Sequence, residues 1–84
     1  MVSAVLDCYE DDVNYAGQDF AVFDNVDTPY DCDQRCHASE SCLVWTWLKQ
    51  SVFGFPAKRC FLKNKIPNKT QLVGVVSALR DCSS

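Results

Sequence analysis

Three glycines, three prolines, one methionine and one histidine are all that this chain of 84 residues holds of those types. So few glycines leave no phosphate-cradling loop, and neither Gly-x-Ser-x-Gly nor His-Glu-x-x-His occurs. No apolar run approaches the roughly 18 residues that span a bilayer. There is no internal repeat, low-complexity tract or linker, so the length allows one domain. The segment Met1 to Leu6 is too short for a signal peptide and lacks a basic start. The simplest expectation is a module cut from a larger secreted protein, with Met1 supplied for expression. A cytosolic protein with six thiols is the competing reading.

What the chain does have is cysteine: Cys8, Cys32, Cys36, Cys42, Cys60 and Cys82. A domain this small buries only about 60–65% of its unfolded surface, so cross-links would make up a thin core. An even count favours an oxidised, extracellular protein, each disulfide adding about 2–4 kcal/mol. Charge is split along the chain. Residues 1–40 carry ten acids and one base, Arg35, whereas residues 41–84 carry seven bases and one acid, Asp81. The net charge of −3 argues against nucleic acid as partner but allows a local basic surface. Alternatively, the two halves face each other across a sheet.

The local pattern predicts one helix and several strands. Thr28 can cap, Pro29 suits the first helical position, and Asp31 and Asp33 suit the positive end, giving a helix from about Pro29 to Ala38. "LVWTWL" (43–48) alternates Leu43, Trp45 and Trp47 against Val44, Thr46 and Leu48. "KQSVFGFPAK" reads as a loop or wide turn, "RCFLK" as a short returning strand and "QLVGVVSAL" as another. "QDFAVFD" supplies one more, with Phe20, Val22 and Phe23 packing inward. The expected class is α+β: one helix on a mostly antiparallel sheet of four or five strands.

The densest chemistry is "DCDQRCHASESC" (31–42), three cysteines and the only histidine. Cys32, Cys36, His37 and Cys42 could hold zinc, but His37 lies about 100° round the helix from Cys36, and three cysteines would be stranded. A c-type haem needs two residues between cysteines rather than three, and the only methionine is Met1. A Cys–His nucleophile would need a thiolate kept free among five other thiols. Asp11, Asp12 and Asp19 could pair for acid–base work, though a solvated acidic face explains them as well. Disulfides fit best, because Cys32 and Cys36 share a helix face and each can reach outward. Cys36 can close a short loop with Cys42. Six cysteines allow fifteen pairings, and spacing does not choose among them.

"YAGQDF", "DCDQRCHASESCLVWTW", "CFLK" and "VSALRDC", in that order and spacing, resemble the PAN/apple domain from Cys8 to Cys82. Gly17, Asp19, Leu62, Lys63, Val76 and Ser77 fall on that family's pattern. Ala78 stands where glycine is usual, and Trp45 and Trp47 where Phe and a smaller aromatic are commoner. The resemblance implies one helix cradled by a curved antiparallel sheet of about five strands. It implies the bonds Cys8–Cys82, Cys32–Cys60 and Cys36–Cys42, with 8–82 as the domain and 1–7 and 83–84 as flanks. His37 is then an exposed helix residue without chemistry.

By the same resemblance the chain is a non-catalytic extracellular adhesion module that recognises a protein or glycan, with no cofactor and no metal. Its acidic first half and short loops are similar to the microneme adhesins of apicomplexan parasites more than to coagulation zymogens. A zymogen interaction domain and a spacer in a tandem array are the alternatives, and sister domains are expected as neighbours. A sulfated glycan would draw on Lys49, Lys58, Arg59, Lys63, Lys65 and Lys69, with Phe53 and Phe55 stacking on sugar rings or inserting into a protein pocket. The opposing readings are a solvated basic edge and a small core under the loop. "NKT" at Asn68 fits the N-glycosylation pattern.

Overall fold

The computed structural model describes residues 9–80. The expected Cys8–Cys82 bond and the flanks 1–7 and 83–84 lie outside the described residues. The strands are β1 (Glu10–Tyr15), β2 (Asp19–Phe23), β3 (Val44–Leu48), β4 (Cys60–Lys63) and β5 (Lys69–Leu79), and α1 (Pro29–Ala38) falls between β2 and β3. They form one sheet in the order β1-β5-β3-β4-β2, with every neighbouring pair antiparallel.

The helix starts and stops where its local chemistry dictates. Thr28 is extended (φ −140°, ψ 157°) and its Oγ1 accepts the Asp31 N–H at 3.1 Å; Pro29 fills the first turn. At the other end the Arg80 guanidinium, arriving from the end of β5, donates to the carbonyls of Ser39 (2.6 Å), Cys42 (3.1 Å) and His37 (3.1 Å). Those carbonyls lie at and just past the helix end, which needs partners and favours a cation. Asp33, expected to suit the positive helix end, also has a packing role. It is fully buried, and its Oδ1 accepts the Trp45 indole N–H at 3.0 Å.

One face of α1 presents Cys32 and Cys36, both fully buried. Cys32 bonds Cys60 on β4, and Cys36 bonds Cys42 just past the helix. These are two of the pairings implied by the family resemblance. With all four sulfurs oxidised, none is a thiolate for zinc, haem or catalysis. Around them pack Val26, Trp45, Trp47, Leu62, Val76 and Ala78, with Tyr9, Ala21 and Phe23 at the margin. Trp47 donates to the Val26 carbonyl at 2.7 Å, and Tyr9 meets Trp45 edge-on at 5.2 Å. Ala78, opposite Trp45, fits its methyl into this core, so the missing glycine leaves β5 paired.

Two expectations are corrected. β3 starts at Val44, not Leu43, and both of its alternating faces are covered, because a second cluster of Leu48, Val52 and Val75, with Phe61 and Leu72, packs on the far face. Leu43 lies outside the strand and is exposed. In β2, Ala21 and Phe23 face the helix side, opposite Leu62 and Cys60. Phe20 and Val22 are 40% and 47% exposed on the other face. The register shifts between Asp19 and Ala21, and a one-residue slip turns a strand's apolar set over.

β1 and the first half of β5 form an arm that folds across the far face. The pairing jumps from Asp11↔Val76 to Val13↔Gln71, leaving four residues of β5 opposite Asp12 alone. Gly74 sits in that bulge at φ +100°, where a Cβ would come within 2.7 Å of Gln50. Its N–H is held by Asp12 Oδ1 at 2.9 Å. That bond, more than the nearby Lys49, keeps the Asp12 carboxyl below its ordinary pKa. Ser77 Oγ, hydrogen-bonded with Thr46 in the sheet centre, reaches the Val13 carbonyl at 2.6 Å and ties the arm down.

Candidate functional site

Between the arm and the sheet lies a pocket of about 170 Å³. Its floor is Thr46 and Leu48 of β3 and Phe61 and Lys63 of β4; Asn14, Ala16, Gly17, Asp19 and Leu72 wall one side. Val52, Phe53 and Phe55 of the loop after β3 wall the other. Drug-sized ligands occupy about 300–1,000 Å³, so this volume admits one ring-sized group.

The aromatic wall comes from a two-residue turn. Val52 and Phe55 exchange both backbone hydrogen bonds (3.1 and 2.8 Å), with Phe53 at φ 51° and Gly54 at φ 83° between them. Two successive positive φ values are what a tight hairpin turn of this kind requires. Glycine adopts them freely; a bulky residue such as Phe53 does so only under strain. The turn holds Phe53 out at 83% exposure and lays Phe55 edge-on to Phe61 at 5.9 Å, with the Arg59 guanidinium 5.3 Å from the Phe55 ring centre. Phe53 is therefore not core. Phe55 and Phe61 form a half-open apolar platform.

Beside that platform sits a charged pair. Lys63, only 2% exposed, donates to Asp19 Oδ1 and to the Gly17 carbonyl at 3.3 Å, and its ammonium lies 5.7 Å from the Phe61 ring centre. An ammonium so buried needs a counter-charge and hydrogen bonds. The turn after β1 supplies them, with Gly17 (φ 87°) and Gln18 (φ 64°) directing the chain so that Gly17 O and Asp19 converge. The "Gly-x-Asp" and "Leu-Lys" pieces of the sequence pattern thus meet in one interaction. The expectation that Lys63 offers an exposed cationic contact is corrected: it is a neutralised part of the pocket floor.

The other basic residues are not gathered into one cationic surface. Lys49 pairs with Asp11 (3.4 Å) and Asp12 (3.5 Å), Lys58 with Asp27 (3.5 Å), Arg59 with Asp24 (2.7 Å) and Lys69 with Glu10 (2.6 Å). Each bond joins the acidic first half to the basic second half. Exposed pairs like these add about 0–1 kcal/mol each, but together they cancel the positive field. Lys65 is exposed and has no ion pair among the described residues. His37, expected to be exposed, is instead half-buried with Nε2 3.6 Å from Asp33, and it does not line the pocket.

Residues 13–63 match a family model described as the PAN domain. The chain belongs to the PAN domain family. The matched span holds Gly17, Asp19, the four oxidised cysteines and Lys63, the residues that build the helix staple and the pocket floor. Comparison with curated proteins gives no match. PAN domains are protein- and carbohydrate-binding modules and are typically non-catalytic. Among the described residues no helix is long and apolar enough to cross a membrane. Phe61, Asn14 and Leu72 of this PAN domain's pocket were missed from sequence. Phe61 had a signal, since alternation in "RCFLK" sets it opposite in face to Cys60 and Leu62.

Proposed function

We propose that this PAN domain is an extracellular adhesion module of a multi-domain secreted protein, spanning residues 8–82, and that its pocket takes the neutral end of a glycan. The observation that carries the reading is the joining of an apolar ring platform, Phe55 on Phe61, to a buried Lys63–Asp19 pair. A sugar ring has an apolar face that stacks on aromatics and hydroxyls that both donate and accept. Asp19, 36% exposed at its side chain, can accept one hydroxyl, and the rim residue Asn14 can do either. Because Lys63 is already neutralised, the site has no surplus charge for a sulfate or carboxylate.

Two disulfides and the PAN identity support a secretory origin. The acidic first half and short loops favour a microneme-type adhesin acting on a host-cell surface over a coagulation zymogen. Phe53, projecting at 83% exposure, favours a protein receptor's apolar pocket as the second reading. The test is an array of glycans and receptors probed with the oxidised domain. The glycan reading expects neutral glycans to bind with little loss at high salt and to be lost on Phe55→Ala. Binding confined to sulfated glycans and abolished by salt would overturn it.

A further inference from the structure

The sequence holds a single Asn-x-Ser/Thr site, Asn68-Lys69-Thr70, with no proline at the middle position or after Thr70. The structure puts it at the root of the arm that walls the pocket. Asn68 is exposed in the loop just before β5, and its carboxamide has no hydrogen-bond partner among the described residues. Asn68 directly precedes Lys69, which pairs with Tyr15, so the loop leaves the sheet beside Ala16, a residue of the pocket wall. Leu72 lines the pocket, and so does Asn14, the residue opposite Thr70. Lys69 turns to Glu10 instead.

We propose that Asn68 is an N-glycosylation site and that its glycan overhangs the pocket mouth, screening Phe53 and Phe55 until it is trimmed or displaced. An N-glycan is bulky and well hydrated, and needs an exposed asparagine in a chain that passes through a secretory compartment. The inference rests on the extracellular reading for that passage alone; it needs no knowledge of the ligand. Attached beside Ala16 at the pocket wall, the first sugars would reach the opening between Leu72 and the Phe53–Gly54 turn. A site on the helix side of the sheet would leave the opening untouched.

The test secretes the full chain from a eukaryotic cell behind an export leader, then compares intact mass and hydroxyl-radical footprints before and after enzymatic release of N-glycans. The expected result is a glycan at Asn68 that is lost in both Asn68→Gln and Thr70→Ala and kept in Thr70→Ser. Oxidation of Phe53 and Phe55 should fall about two-fold in the glycosylated form, given the bulk of such a group at the mouth. An unmodified Asn68 in secreted, fully oxidised protein overturns the site. Equal oxidation of the two rings in both forms overturns the screening. Accumulation of the chain with free thiols overturns the extracellular reading and this proposal with it.

Discussion

Replacing Phe53 by asparagine separates what the turn costs from what it does. Phe53 holds φ 51° next to Gly54 at φ 83°, a pair of conformations that Asn-Gly meets with far less strain. The left-handed region costs an ordinary L-residue about 1–2 kcal/mol, and asparagine recovers part of that, leaving a gain of about 1 kcal/mol. Since the ring is 83% exposed, its removal gives up little buried area. For a domain of this size, about 1 kcal/mol moves the midpoint of thermal unfolding by about 4–8 °C. The buried Trp45 and Trp47 report that transition by fluorescence, read under oxidising conditions. An aromatic contact is worth about 0.5–1.5 kcal/mol, so affinity for a glycan found on the array should fall about two- to twelve-fold. Phe53→Tyr keeps both ring and strain and should change neither quantity. A lower midpoint for Phe53→Asn, or unchanged affinity beside a raised midpoint, would refute the argument that strain is held there for binding.

Asp19→Asn leaves the Lys63 ammonium buried without its counter-charge and should cost about 2 kcal/mol, less than a fully enclosed pair because Asp19 is partly exposed; adding Lys63→Met should restore much of the loss in denaturant melts. Arg80→Met removes donors to three carbonyls at the helix end and should cost about 2 kcal/mol by the same measurement, while an unchanged midpoint would mean that water replaces the guanidinium without penalty. Removing the Cys32–Cys60 bond should destabilise more than removing Cys36–Cys42: the closed segments, with separations of 28 and 6 residues, differ by about 1 kcal/mol in chain entropy, and only the first ties helix to sheet. Burial, followed by the nearby Asp33 carboxylate, pushes the Tyr9 phenol up from 10.0 to about 12. A folded-state pKa above the unfolded one gives stability that is complete below pH 10 and lost as pH rises toward 12, so unfolding should track tyrosinate absorbance in that window and shift to higher pH in Tyr9→Phe.

The elements legible in the sequence are those specified by near neighbours. Thr28 and Pro29 start the helix by local hydrogen bonding and ring geometry, and the observed bounds are those expected. The β-branched and aromatic runs of β3 and β5 declare themselves the same way. β1 does not, because "EDDVNY" has neither the alternation nor the apolar content of a strand. It is held by distant partners: β5, Lys49, Lys69 and the Gly74 amide. Phe53 and Phe55 stood out as rings in a loop carrying glycine and proline. Lys63 could be recognised only as a pattern residue, since its partners Gly17 and Asp19 are more than forty positions away. The basic run looked like a site because sequence shows charge but not pairing. Five of its six members end beside acids of the first half, the facing-halves alternative that the charge split itself allowed.

The central claim, that the pocket binds a neutral ligand through rings and a neutralised Lys63–Asp19 floor, is tested most directly by nuclear magnetic resonance. The domain would be titrated with an array-selected neutral glycan at low and at high salt. The account predicts shift changes confined to the rings of Phe53, Phe55 and Phe61 and the amides of Asn14 to Asp19, with nearly the same affinity in both salts. Shifts centred on Lys58 and Lys65 that vanish at high salt, with the Phe61 ring unmoved, would contradict it.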